Sequence, residues 1–349
     1  MSKRTTNLIK IRESRTLIVG VDIAKKTHWA RMIDNRMGIE IGTAFSFKNS
    51  IKGFTRLLGK VARAQKKVDA EKVIVAMEPS GHYWKSLAHY LFKAGPEVVI
   101  VNPYHVKQQK ELDDNSPTKN DRKDALIIAT LTWEGRFSRC YLPKGVWAEL
   151  RGYTKMRQQQ KRKLNASLNI LVAILDEYFP EYQTVFKKLL GKASLHLLKH
   201  LPFPDDIVKL TEEELARELK GATSNRVGEK RAALLLSKAK VSVGVKEGLT
   251  MARLRLSHCL EEIFFYKQQL ARTEAAMACA LEESGMAKNL LSIKGVGVVT
   301  AASFLGETGD LSRFESWRQV RKLAGPTSSR TAPANEGGKQ AYQSAVGRC

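Results

Sequence analysis

Three short β-branched runs limit most strongly what this chain can fold into: Thr16 to Ile23 (TLIVGVDI), Lys72 to Met77 (KVIVAM) and Glu97 to Val101 (EVVIV). Each is the length of a strand and apolar almost throughout, the pattern of a strand buried inside a sheet. Two less regular runs, His28 to Ile33 and Glu40 to Phe47, add a second and a third strand, with Asn35 supplying the turn between them. Helical spacing fills the gaps. Ile51, Phe54, Leu57, Leu58 and Val61 form an apolar stripe within Ser50 to Ala64, which Asn49 or Ser50 can cap. His82 to Lys93 reads as a second helix. After a polar loop a third opens at Asp121 and ends near Gly135. The order is three strands, helix, strand, helix, strand, helix, which predicts an α/β fold with a mixed sheet flanked by helices.

Four acids stand at the ends of these elements. Asp22 lies at the end of the first strand, Glu78 directly follows the fourth, and Asp121 and Asp124 sit one turn apart in the segment Asn120 to Ala125 (NDRKDA). Residues three apart share a helix face, so the last two can address one point. Such carboxylates suit a hard divalent cation, which takes oxygen ligands. The structural alternative is that first-turn acids behind an Asn120 cap complement the helix macrodipole, while Asp22 and Glu78 merely end strands. Convergence of all four favours the cation, because like charges are costly to bury together unless a counter-ion neutralises them. Two metal ions bridged by carboxylates can activate an attacking oxygen and stabilise a leaving one in phosphodiester displacement. His28, His82 and His105 lack ligand spacing, and Tyr83, Trp84 and Tyr104 read as core or groove-wall residues.

Charge names the kind of partner. With 59 Lys and Arg against 35 Asp and Glu, the net charge of +24 attracts polyanions. No apolar run is long enough to span a bilayer and the polar N-terminus lacks the apolar core of a signal peptide, so the expectation is a cytoplasmic protein without a membrane partner. Four scattered cysteines, Cys140, Cys259, Cys279 and Cys349, show neither metal spacing nor a disulfide framework.

Residues 1–15 carry Lys3, Arg4, Lys10, Arg12 and Arg15 and are predicted to be a basic flexible arm. Beyond residue 145 long helices take over. Val146 to Tyr178 bears the basic run Lys155, Arg157, Lys161, Arg162 and Lys163 and stops at Pro180. Thr211 with Glu214 marks a capping box, and Leu249 to Ser284 is a second long helix; the partly heptad spacing of the two predicts a coiled-coil region. In Ser292 to Gly306, Gly295 and Gly297 punctuate a helical hairpin able to approach a phosphate backbone, with a Gly-rich helix turn as the plain alternative. Phe314 to Ala324 is a last basic helix, followed by a tail without periodicity that is expected to be disordered.

Four segments in order, Val21 to Lys25 (VDIAK), Met77 to Trp84 (MEPSGHYW), Val101 to Val106 (VNPYHV) and Lys119 to Ala125 (KNDRKDA), resemble the DEDD transposases of the IS-one-ten group of bacterial insertion sequences. The likeness runs from about residue 16 to 325. It implies an RNase H-like (RuvC-like) nuclease domain at 16–144, a helical, coiled-coil region at 145–285, and a partial C-terminal transposase domain at 286–325 containing the Gly-rich hairpin. It also implies a Mg²⁺-dependent recombinase that cleaves and transfers DNA strands through a two-metal site. The acidic tetrad falls on Asp22, Glu78, Asp121 and Asp124, with DNA, a structured guide RNA and further copies of the chain (dimer or tetramer) as partners.

The departure is at 326–349. Family members carry Ser-Ser-Gly there, whose serine attacks DNA; this chain reads Pro326-Thr327-Ser328-Ser329-Arg330. Back-translation from Gly325 to Gln343 in the neighbouring frame can encode a segment containing Asn-Ser-Ser-Gly. The expectation is therefore an out-of-frame tail and a truncated copy impaired in strand exchange, with Ser328 and Ser329 not inheriting the nucleophile's role. Two other readings compete. A sugar-kinase-like phosphotransferase lacks its Gly-rich loop at Ala24-Lys25-Lys26. A non-catalytic basic nucleic-acid-binding protein would leave the acids structural.

Overall fold

The structure, a computed structural model, describes residues 3–113 and 121–323. The chain forms two compact units, one ending at Leu142 and one starting at Pro143.

The first unit contains α1 (Lys3–Arg12), β1 (Thr16–Asp22), β2 (Thr27–Asp34), β3 (Phe45–Lys48), α2 (Ile51–Lys67), β4 (Lys72–Met77), α3 (Trp84–Ala94), β5 (Glu97–Val101), α4 (Pro103–Asp113), α5 (Asp121–Trp133) and β6 (Phe137–Arg139). The strands make one sheet in the order β3-β2-β1-β4-β5-β6. β1 pairs antiparallel with β2 and parallel with β4, β4 pairs parallel with β5, and β6 closes the edge antiparallel. This mixed order, with helices on both faces, is an RNase H-like α/β fold.

Strand alternation sends successive side chains to opposite faces. Leu17, Val19 and Val21 of β1 pack with Phe54 and Leu57 of α2 and Leu87 and Leu91 of α3. Ile18 of β1 and Ile74 and Ala76 of β4 pack with Ile128 and Leu131 of α5. Gly20 is what lets α5 lie so close: a Cβ built there would overlap the Ala125 carbonyl oxygen and the Ala129 backbone nitrogen.

Three sequence expectations need correction here. Residues 3–12 are not a free arm but helix α1, whose Ile11 is buried. It is fastened by Asn7, which donates to the Gly135 and Phe137 carbonyls, and by Lys10, paired with Glu97. The buried Asn35 side chain completes that join, donating to the Ile11 and Ser14 carbonyls and accepting from the Thr16 amide. The expected polar loop after β5 contains α4. The third strand is shorter than expected, with Glu40 held to Ile33 by a single bridge.

The second unit is helical: α6 (Val146–Tyr178), α7 (Tyr182–Val185), α8 (Lys192–His200), α9 (Pro204–Ile207), α10 (Glu212–Thr223), α11 (Glu229–Lys240), α12 (Leu249–Glu283), α13 (Ala287–Leu291), α14 (Val298–Thr308), a 3-10 turn (Leu311–Arg313) and α15 (Trp317–Leu323). α6 and α12 run antiparallel: Leu150 packs with Met277 and Leu281, Arg157 pairs with Glu274, and Ser167 donates to Glu262. Buried Leu150, Leu164, Leu171 and Tyr178 on α6, and Leu256, Ile263, Leu270 and Met277 on α12, fall on seven-residue steps. That period keeps one face of each helix on its partner. The α10 capping box forms as expected between Thr211 and Glu214. Residues 324–349, and with them the predicted out-of-frame tail, lie outside the described residues.

Candidate functional site

The sheet register builds a site at the carboxyl ends of β1 and β4. Val21 is opposite Met77 across the parallel pair, so Asp22, the last residue of β1, and Glu78, the first residue after β4, follow at the same level. Alternation places both on the face already occupied by Ile18, Ile74 and Ala76, which is the face that α5 covers. The contact of Ala125 with Gly20 then fixes the first turn of α5 above these strand ends and brings Asp124 toward Glu78. Open α/β sheets bind ligands at strand carboxyl ends for this reason: adjacent loops diverge there and leave a crevice.

Asp124 is buried, with its carboxylate 2.6 Å from the Lys110 ammonium of α4. Burial pushes the half-buried Glu78 carboxyl above its ordinary range; the Lys110 charge opposes that rise and the Asp124 charge adds to it. Two acids and one ammonium thus share a field, with the lysine supplying the counter-charge. Asp121 begins α5, but its side chain lies outside the described residues. Among the described residues no three acid, His or Cys side chains close to metal-ligating distance. The donors gathered here are carboxylate oxygens held against their own repulsion, a set that suits a hard divalent cation.

The sequence carries no apolar stripe over α4 and so reads as loop there, which hides Lys110. The signal was there in Asn102-Pro103: the Asn102 side chain accepts from the Tyr104 amide, and proline stands at the first helical position. His28 stays out of the site's chemistry. His28 is fully buried, its Nδ1 accepts from the Ala24 amide, and it packs against Phe47 and Phe54. Burial lowers its pKa, so it is a neutral core residue. Burial also raises the Cys140 thiol to about 11, which makes it inert.

In the helical unit the basic run divides. Lys155, Lys161, Arg162 and Lys163 are exposed on α6, and Lys163 stands 5.7 Å over the Tyr266 ring. Arg157 is engaged instead, donating from Nε to Glu274 at 2.7 Å and tying α6 to α12. Gly295 has φ +87°, a conformation open to glycine at little cost, and Gly297 caps α14; a side chain at either would meet nothing within 4 Å. The backbone there is open to approach.

A strand-end carboxylate cluster on an RNase H-like sheet, in a chain that continues into a basic helical unit, defines the class of protein. Residues 19–180 match the DEDD transposase family of IS110 type, and residues 287–341 match the family described as Transposase IS116/IS110/IS902. The two matches stand in order and together span more than half of the chain, which belongs to this family of transposases. The chain is 24% identical over 328 residues to the "Mini-circle putative transposase for IS117" of Streptomyces coelicolor, covering 90% of this chain and 76% of that one. It is 30% identical over 112 residues to the pilin gene-inverting protein of Moraxella lacunata, covering 32% of each. Among solved structures, T. thermophilus RuvC in complex with a Holliday junction substrate overlaps 34% of this chain and 91% of its own, with 19% identity and a TM-score of 0.24. The fold assignment rests on the strand order, not on that overlap. No described helix is long and apolar enough to cross a membrane.

Proposed function

We propose that this chain is a DNA transposase whose strand cleavage and transfer depend on Mg²⁺ held by Asp22, Glu78, Asp121 and Asp124. The observation that carries the reading is the register that sets Asp22 level with Glu78, with Asp124 of α5 turned to the same sheet face. Mg²⁺, when bound, polarises the phosphodiester and activates the attacking oxygen. The protein's own groups prepare the site: the sheet fixes two carboxylates, α5 delivers Asp124, and Lys110 offsets the Asp124 charge. Exposed Lys155, Lys161, Arg162 and Lys163 hold nucleic-acid phosphates, and the open backbone at Gly295 and Gly297 grips a strand without reading its bases. The seven-residue seam of α6 and α12 serves as a coiled-coil arm. A structured guide RNA and assembly into a dimer or tetramer complete the reading, as does DNA inversion of the kind named for the Moraxella relative.

Calorimetric titration of Mg²⁺ into wild type, Glu78→Gln and Asp124→Asn, beside DNA binding by the same proteins, tests the site. The expected result is metal binding by the wild type alone and DNA binding by all three. Unchanged metal affinity in both variants ends the assignment. The segment after Gly325 is read as out of frame, which leaves this copy impaired in strand exchange. The family match extends to residue 341, so the gene's nucleotide sequence is the arbiter: a stop codon, or no Asn-Ser-Ser-Gly, in the neighbouring frame refutes the idea.

A further inference from the structure

A cavity of about 640 Å³ opens in the helical unit where the segment joining α7 and α8 meets α10 and α11. Its size is that of a small-ligand pocket. Its lining includes five cations, Lys187, Lys188, Lys192, Arg226 and Arg231, and no carboxylate. The first four are exposed and have no ion-pair partner among the described residues. Nearby acids are used elsewhere: Glu229 pairs with Lys220, and Glu181 accepts from Ser242. Five uncompensated charges around one concavity oppose folding through mutual repulsion, and an anionic occupant would offset that cost.

The wall supplies a second kind of contact. Val185, Phe186 and Ala193 form an apolar base, and Leu234 is 42% exposed at the opening. Arg231 donates to the Val185 carbonyl at 2.7 Å and lies 5.4 Å over the Phe186 ring, so its guanidinium plane is fixed while the residue stays exposed. A fixed guanidinium plane is a surface on which a nucleobase stacks. A rim of phosphate-seeking charges around an apolar recess beside a fixed guanidinium fits a nucleotide whose base has left its pairing partner, and fits intact duplex poorly.

Resting on the transposase reading, we propose that this cavity seats an unpaired nucleotide of a bound nucleic acid, its base against Leu234 and Arg231 and its flanking phosphates on Lys187, Lys188, Lys192 and Arg226. The site is separate from the basic run on α6 and from the Gly295 hairpin. The strand can be displaced DNA or a loop of RNA, which share this chemistry.

The test uses the full chain and fluorescence anisotropy with short single-stranded DNA, single-stranded RNA and duplex DNA. The fourfold variant K187A/K188A/K192A/R226A changes exposed residues only, and an unaltered circular dichroism melt confirms its fold. It is expected to lose about ten-fold or more in affinity for a single strand and to lower the salt slope by about 0.7 for each phosphate contact removed, while duplex binding changes less. A loss confined to RNA identifies a loop of RNA as occupant; a loss confined to DNA identifies a displaced strand. A strand carrying 2-aminopurine reports the base: its emission should shift on binding to the wild type and fail to shift with saturating Leu234→Glu. If the wild type binds single strands and the fourfold variant matches it in affinity and salt slope, the cavity assignment is overturned alone. If the wild type binds none of the three probes, the transposase reading falls with it.

Discussion

In the α/β unit, Asp22 ends β1, Glu78 directly follows β4 and Asp124 lies on α5, and only strand pairing and the docking of α5 set these remote positions toward one sheet face. In the helical unit, Lys155, Lys161, Arg162 and Lys163 stand on one helix, and local winding alone arrays them. The first arrangement is specified by non-local packing and can be lost through a single backbone contact. The second survives wherever α6 stays helical. On the proposed function, precision for chemistry sits in the sheet, and tolerance for a long polyanion sits in the helices.

The contrast breaks most sharply at Gly20. Gly20→Ala pushes a methyl group into the α5 backbone and is expected to cost about 3 kcal/mol or more. Differential scanning calorimetry should show the α/β transition moved down or lost, while the transition of the helical unit stays in place. The counterpart is Leu171→Ala in the fully buried seam of α6, expected to cost about 2–5 kcal/mol and to move the other transition. Equal movement of both transitions in either variant would show that the units do not melt separately.

A smaller effect concerns pH. His28 has its pKa lowered by burial below the ordinary 6.5, so the unfolded chain takes up a proton before the folded chain does. The stability tied to neutral His28 is complete above about pH 6.5 and is lost as pH falls through the lower, folded value. His28→Leu should flatten the fall in melting temperature of the α/β unit between pH 7 and pH 5, even where it lowers absolute stability. The same slope in wild type and variant would remove His28 from the account. Least of all, Arg157→Met breaks the partly exposed pair with Glu274 and should cost no more than about 1 kcal/mol in a denaturant titration. A larger loss would mean that α6 and α12 depend on that polar step more than on their leucines.

The sequence was sufficient for whatever depends on neighbours in the chain. β4 and β5 run from Lys72 to Met77 and from Glu97 to Val101, and α6 from Val146 to Tyr178, with the bounds that periodicity and Pro180 imply. The capping box at Thr211 and the four acids at element ends were equally legible. α4 was hidden because its exposed, polar composition carries no apolar stripe, although Asn102-Pro103 marked its start. The fastening of α1 through Asn7 and Lys10 was hidden because both partners lie far along the chain.

Four carboxylates were readable as letters, but not the ammonium beside Asp124. Local rules, set by helix pitch and strand alternation, fix which way a side chain can face, and those act over a few residues that the sequence displays directly. Only the tertiary structure decided that Lys110 lies 2.6 Å from Asp124, that Glu78 feels both charges, and that five cations ring one cavity. Such juxtapositions come from packing between elements remote in sequence, where electrostatic energy depends on distance through space and not on separation along the chain.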